Sequence, residues 1–178
     1  MFQQILTIDK NITILIYQYI PRFLLFDWIS QLLNIVSVPF FLWAIILIIV
    51  YNRKKPLYFI WLPLFNLLVA GGIANYILKN IFERLRPCIY DIVINFSCPT
   101  DFSFPSGHAA TSFATATTIA LLDPKRKYLY YSIALIISIS RVYLGVHYFF
   151  DVIGGIVSGT IISILSIKIL HYIKAYKT

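Results

Sequence analysis

Long apolar runs alternate with short polar breaks along this chain, and the runs have the length of bilayer crossings. A helix rises about 1.5 Å per residue, so about 20 apolar residues cover a hydrocarbon core. Five runs approach or exceed that length: Trp28–Tyr51, which contains Pro39; Leu57–Leu78; His108–Leu122, shorter and rich in Ala, Thr and Ser; Tyr128–Val146; and Val152–Tyr172. A further stretch, Asn11–Phe26, is apolar but short, and Pro21-Arg22 interrupts it. Residues 1–27 therefore read as an N-terminal interfacial helix followed by a break, with a sixth crossing as the alternative. They do not read as a signal peptide. Lys10 follows Asp9, no basic stretch opens the segment, and no small-residue cleavage site follows. The pattern predicts an all-α fold: an integral membrane helical bundle of five to six transmembrane helices, forming one domain over residues 1–178.

Composition narrows the class. Of the 178 residues, 60% are hydrophobic and 12% charged, and mean hydropathy is +0.81. A soluble domain carries about 25% charged residues. A disordered chain is excluded, and so is a soluble nucleic-acid binder, despite a net charge of +8. The location of that charge is informative. If five spans alternate, Arg53, Lys54, Lys55, Lys125, Arg126, Lys127, Lys168, Lys174 and Lys177 share one side with a single acid, Asp123. The other side holds Lys10, Arg22, Lys79, Arg84, Arg86 and Arg141 against Asp9, Asp27, Glu83, Asp91, Asp101 and Asp151, which cancel. Lys/Arg excess marks the cytoplasmic side. The neutral face is then extracytoplasmic, in a multi-pass cell-membrane protein.

On that neutral face lie three polar clusters, and ionisable groups at membrane depth are functional suspects. The first closes the second span. Lys79 and Arg86 are two helical turns apart and would share a helix face, with Glu83 placed to pair with Lys79. The second is Phe104-Pro105-Ser106-Gly107-His108. Ser106 suits an N-cap, Gly107 lets backbone approach a ligand, and the helix N-terminus beyond them attracts anions. The third runs from Ser140-Arg141 to His147 and Asp151, whose four-residue spacing would stack them on a helix opening the fifth span. A carboxylate on one imidazole nitrogen leaves the other free as base or nucleophile. Singly, each cluster also suits an ordinary helix end. Together they supply three cations, a helix N-terminus, a histidine with a carboxylate partner and one without. That is the composition of a phosphate pocket with a nucleophile and a separate acid.

Lys79-x6-Arg86-Pro87, Pro105-Ser106-Gly107-His108 and Ser140-Arg141-x5-His147-x3-Asp151 resemble, in order and spacing, the three signature motifs of the type 2 phosphatidic acid phosphatase superfamily. That family includes membrane lipid phosphatases and is related to vanadium haloperoxidases. The resemblance covers Lys79 to Asp151, and the helical layout on either side agrees. It implies that His147 attacks phosphorus and carries a phosphohistidine, and that Asp151 orients it. It implies that His108 protonates the leaving oxygen and then activates water, while Lys79, Arg86, Ser106, Gly107 and Arg141 hold the phosphate. It also implies no cofactor and no metal. The residues agree, since no carboxylate group suits Mg²⁺ and three cations beside the histidines disfavour zinc.

The pocket would lie at the outer membrane–water boundary, beside a loop of only 18 residues from Pro87 to Phe104. A lipid headgroup, with its tail between spans, suits such a site. Undecaprenyl diphosphate leads through the resemblance to small bacterial-type members; phosphatidylglycerophosphate, phosphatidic acid and lipid A phosphates are the alternatives. A lipid phosphotransferase would use the same His147. A transporter would instead place its polar breaks near the bilayer midplane, and haloperoxidase-type relatives are soluble. Two features leave alternatives open. Cys88 and Cys98 fit either a disulfide or two free thiols. Gly155-x3-Gly159 fits helix packing within one chain or in an oligomer.

Overall fold

The computed structural model describes residues 2–35, 37–51, 55–90 and 98–176; Arg53, Lys54, Asp91 and Lys177, which the charge argument used, lie outside the described residues. Among the described residues the regular structure is helical: α1 (Phe2–Tyr19), α2 (Leu24–Asn34), α3 (Ser37–Val50), α4 (Tyr58–Phe82), α5 (Gly107–Leu122), α6 (Lys127–Tyr143) and α7 (Phe149–Tyr176). Short 3-10 turns occupy Pro87–Tyr90 and Pro124–Arg126.

The small-residue helix α5 is the centre of the bundle, with α4, α6 and α7 packed around it. Ala109, Ala110, Ala114 and Ala116 are fully buried there. Apolar side chains gain little by leaving lipid for protein, so close backbone approach and interhelical hydrogen bonds must hold such helices together. Both are present. A Cβ on Gly155 would strike the Ser106 carbonyl, and one on Gly159 the Ala110 carbonyl, so the glycine pair of α7 is used against α5 within one chain. Deeper in the bundle, Asn66 of α4 donates to Thr118 Oγ1 of α5 at 2.8 Å and accepts from Ser166 of α7 at 2.7 Å.

The expected crossing Trp28–Tyr51 is not one helix. It divides after Asn34, and α2 and α3 meet at 90°. Pro39 explains why one helix is disfavoured: it falls in the first turn of α3, where a missing N–H breaks no helical bond. Consequently two helices, α4 and α7, are long and apolar enough to cross a membrane, or three if α2 and α3 form one bent span. The helices α5 and α6, with 16 and 17 residues, follow the expected runs His108–Leu122 and Tyr128–Val146 closely but fall short of the length that a membrane crossing needs. The N-terminal break falls between α1 and α2, where Pro21-Arg22 predicts it.

Three basic segments meet at one end of the bundle. Lys55 Nζ lies 3.7 Å from Asp123 Oδ2, and Lys174 Nζ lies 3.6 Å from the Tyr58 ring centroid. The polar clusters gather at the other end. There Cys88 and Cys98 form a disulfide, which decides between the two readings of that pair.

Candidate active site

Helix α4 delivers the first cluster, and its geometry departs from a plain helix. Residues Ile73–Leu78 form a π-helical turn, in which the Lys79 N–H bonds the Ala74 carbonyl. Such turns re-aim side chains and recur at functional sites. Helix α4 then stops because Glu83 adopts a left-handed conformation (φ 45°), its N–H returning to the Lys79 carbonyl. Two expectations fall here. Arg86 lies beyond the helix and does not share its face with Lys79, and Glu83 is not the partner of Lys79. Both cations instead converge on Asp101. Lys79 Nζ pairs with Asp101 Oδ2, while Arg86 donates from Nη2 to Asp101 Oδ1 at 2.8 Å and from Nε to the Asp101 carbonyl at 2.9 Å. Burial would raise the Asp101 carboxyl, but the Lys79 hydrogen bond and the Arg86 charge outweigh it and hold it below the usual carboxylate range.

The second cluster opens α5 as the sequence predicts. Ser106 is the N-cap, its hydroxyl accepting from the Ala109 N–H. Its own N–H donates to the Asp151 carbonyl at 2.9 Å, which ties the start of α5 to the start of α7. Gly107 has a further reason for lacking a side chain: a Cβ would lie 2.6 Å from Asn75 Oδ1, an amide carried on the π turn. His108 follows in the first turn. Among the described residues its buried Nε2 has no hydrogen-bond partner.

The third cluster does not sit on a helix as a whole. Helix α6 ends at Tyr143, Gly145 turns the chain with φ 67°, and α7 begins only at Phe149. His147 is therefore in the turn, and Asp151 is in the first turn of α7. They still meet, because Asp151 Oδ2 accepts the Tyr148 N–H at 2.8 Å, in the manner of a capping box. His147 Nδ1 faces Asp151 Oδ2 at 3.5 Å. Its Nε2 lies 3.1 Å from Arg86 Nη1. A guanidinium only donates, so Nε2 is the acceptor and Nδ1 carries the proton. Burial, then the charges of Arg86, Arg141 and Lys79, push the His147 imidazole well below its usual pKa. Arg141 is buried and anchored by α2, donating to the Leu33 carbonyl at 3.3 Å and to the Asn34 side chain.

All these groups meet in or around one cleft of about 1040 Å³. Its polar end carries Lys79, Arg86, Gly107, His108, Arg141 and His147; its apolar end runs between α3 and α4 past Phe41, Trp43, Leu68 and Gly72. Ser106 and Asp151 stand behind it, on the capping and hydrogen-bonding side. The sequence reading missed Asp101 and also Ser103, which donates to Asp151 Oδ2. It missed Arg84 too, whose guanidinium joins Asp151 Oδ1 at 2.7 Å to Asp9 Oδ2 at 2.6 Å. The available signal was weak: Asp9 and Thr13 stand at four-residue spacing, but α1 also carries Gln3, Gln4, Thr7, Lys10, Asn11 and Gln18. Among the described residues no group of three or more His, Cys, Asp or Glu is placed to hold a metal ion.

The fold and site define a helical membrane protein with a cleft lined by Lys79, Arg86, Arg141 and two histidines. The profile of the PAP2 superfamily matches residues 59–175, and the chain belongs to that superfamily. Among curated relatives it is 37% identical over 105 residues to an undecaprenyl-diphosphatase from Sulfolobus acidocaldarius, covering 57% of this chain and 49% of the relative. It is 37% identical over 118 residues to phosphatidylglycerophosphatase B from Bacillus subtilis, covering 59% and 56%. The chain thus spans about half the length of the curated relatives it matches. The crystal structure of a transmembrane PAP2 type phosphatidylglycerolphosphate phosphatase from Bacillus subtilis superposes with a TM-score of 0.75 at 27% identity, over 96% of this chain and 88% of that one.

Proposed function

We propose that the protein is a membrane phosphatase that hydrolyses a lipid phosphate or diphosphate through a phosphohistidine. The observation that carries this reading is the pair of imidazoles in one cleft: His147 with Nε2 beside Arg86 and Nδ1 beside Asp151, and His108 with Nε2 unpartnered among the described residues. In the first step His147 Nε2 forms a bond to phosphorus and the ester or anhydride oxygen leaves, taking a proton from His108. Asp151 and Ser103 stabilise the positive charge that develops on the His147 ring. In the second step water attacks phosphorus, gives its proton to His108, and the N–P bond breaks to release phosphate. Lys79, Arg86, Arg141 and the N–H groups at the start of α5, beyond Ser106 and Gly107, neutralise the equatorial oxygens. Protein groups carry every step, without metal or cofactor.

A lipid substrate is supported by the apolar continuation of the cleft between α3 and α4. The bundle is read as five crossings, α2–α3 as one bent span and α4 to α7 as four, with α1 docked against them. The basic end is read as cytoplasmic and the cleft as extracytoplasmic. Undecaprenyl diphosphate, converted to undecaprenyl phosphate, is the leading substrate, and the Sulfolobus relative's name supports it. Phosphatidylglycerophosphate is the second reading, supported by the name of the Bacillus relative and of its matching solved structure.

Phosphate release by purified protein from a panel of lipid mono- and diphosphates tests the proposal. The expected result is metal-independent release, fastest with the isoprenyl diphosphate. Transfer of phosphate to a second lipid, with no free phosphate formed, would replace hydrolysis by a phosphotransferase.

A further inference from the structure

Asp151 is fully buried, and its two oxygens have different duties. Oδ2 accepts from the Tyr148 N–H and Ser103 and faces His147. Oδ1 takes Arg84 Nη1 at 2.7 Å. A carboxylate can rotate about its Cβ–Cγ bond, so the grip on Oδ1 fixes where Oδ2 points. Arg84 is not among the residues lining the cleft, and its guanidinium lies 3.9 Å from the Tyr148 ring centroid.

The other half of the fork reaches α1. Arg84 Nη2 lies 2.6 Å from Asp9 Oδ2, and Asp9 is fully buried. Asp9 Oδ1 accepts the Phe150 N–H at 2.8 Å, and Thr13 Oγ1 accepts the Phe149 N–H at 3.0 Å. Those are first-turn amides of α7, which lack intrahelical partners. One face of α1 therefore caps the helix that carries Asp151 and also clamps the arginine that holds its carboxylate.

We propose that Arg84, clamped by Asp9, is a positioning residue that fixes Asp151 against His147, so that the N-terminal helix takes part in phosphoryl transfer. The inference rests on the phosphohistidine reading above. Arginine is required because only a planar fork reaches two carboxylates at once; lysine keeps the charge and loses the bridge.

The test compares wild type with Arg84→Lys, Arg84→Ala and Asp9→Asn, the last keeping an oxygen for the Phe150 N–H. Steady-state kinetics, vanadate inhibition and acid-quench trapping of phosphoenzyme are read on each. Loss of an outer support of this kind lowers activity about 10–100-fold. That loss should fall on kcat and on the phosphoenzyme formation rate, with KM and vanadate inhibition held close to wild type. Added guanidinium should partly restore Arg84→Ala. Asp9→Asn should show the same kcat-only defect in smaller measure. Wild-type kcat in Arg84→Lys and Asp9→Asn would overturn the assignment. So would a defect spread equally over kcat, KM and vanadate binding without guanidinium rescue, which marks a purely structural role. A folded wild type inert toward every lipid phosphate would sink the phosphatase reading and this assignment with it; an active wild type with silent variants would sink this assignment alone.

Discussion

Arg86 Nη1 lies 3.1 Å from His147 Nε2, on the edge of the imidazole opposite Asp151. The same guanidinium nitrogen also donates to the Val146 carbonyl at 2.8 Å, which pins the turn carrying the histidine. One cation thereby marks where a phosphate would sit and which nitrogen faces it.

The two histidines should fail differently. His147→Ala should lose phosphate release to the detection limit with every substrate, and acid quench should trap no phosphoenzyme. His108→Ala should lose about 10²–10⁴-fold with a lipid substrate. The loss should be much smaller with an aryl phosphate, whose leaving group needs no proton. Near-wild-type turnover by purified His147→Ala would refute the nucleophile assignment.

Asp101 occupies Lys79 and Arg86 with a carboxylate where a phosphate would bind, yet its side chain is 53% exposed and can be displaced. Its carboxyl is held below the ordinary carboxylate range, so it is ionised at neutral pH and, on the proposed function, would compete with substrate. Asp101→Asn should tighten vanadate inhibition and lower KM by about 3–10-fold, since a half-exposed ion pair is worth about 1 kcal/mol. An unchanged or weaker vanadate response would show that Asp101 supports the cations and does not compete for them.

Gly72 lines the apolar arm of the cleft, and among the described residues a Cβ there would meet no atom within 4 Å beyond its own chain neighbours and helix backbone. Gly72→Leu should fold at least as well, because leucine favours helix over glycine. It should lower kcat/KM for a long-chain lipid by about tenfold or more. Hydrolysis of a water-soluble aryl phosphate should not change. An equal loss on both substrates would exclude this arm as the tail path.

Gly159 offers the opposite case, because its Cβ would strike the Ala110 carbonyl, and backbone cannot move aside. Gly159→Val should destabilise the bundle by about 3 kcal/mol or more, the upper range for overpacking. Thermal unfolding in detergent reads this directly; a wild-type melting point would mean that α5 and α7 are further apart.

The pH response follows from His147. Its folded pKa lies well below the ordinary imidazole value, so this imidazole stays neutral below pH ~6.5. The unfolded chain titrates near that value and binds the extra proton first. Stability is then whole above pH ~6.5 and falls as pH drops below it. His147→Gln should melt with a shallower loss between pH 7 and 5 than wild type. A steeper loss in the variant would reverse the sign.

Much of the candidate site was legible because the family motifs are local. The Ser106 N-cap depends on its neighbours alone, and the histidines and cations are expensive enough near lipid to mark themselves. Arg84 and Asp9 were not legible. They are 75 positions apart in sequence and cancel in any charge count, and only the fold of α1 against α7 makes them partners. The Lys79–Glu83 pairing failed for a related reason. Helical spacing assumes that the helix continues, and Glu83 ends it.

By itself the sequence determined that this is a greasy, helical chain with a lopsided charge and three polar clusters that carry the motifs of the PAP2 superfamily. Periodicity, composition and local spacing carry that information, because they act over a few residues. Only the tertiary structure decided which partners the charges take. It bent the α2–α3 pair, put His147 in a turn, set Asp101 on Lys79 and Arg86, and brought α1 to the base of Asp151. Buried charges must be matched at hydrogen-bond distance, and which groups arrive there is settled by packing between segments remote in the chain.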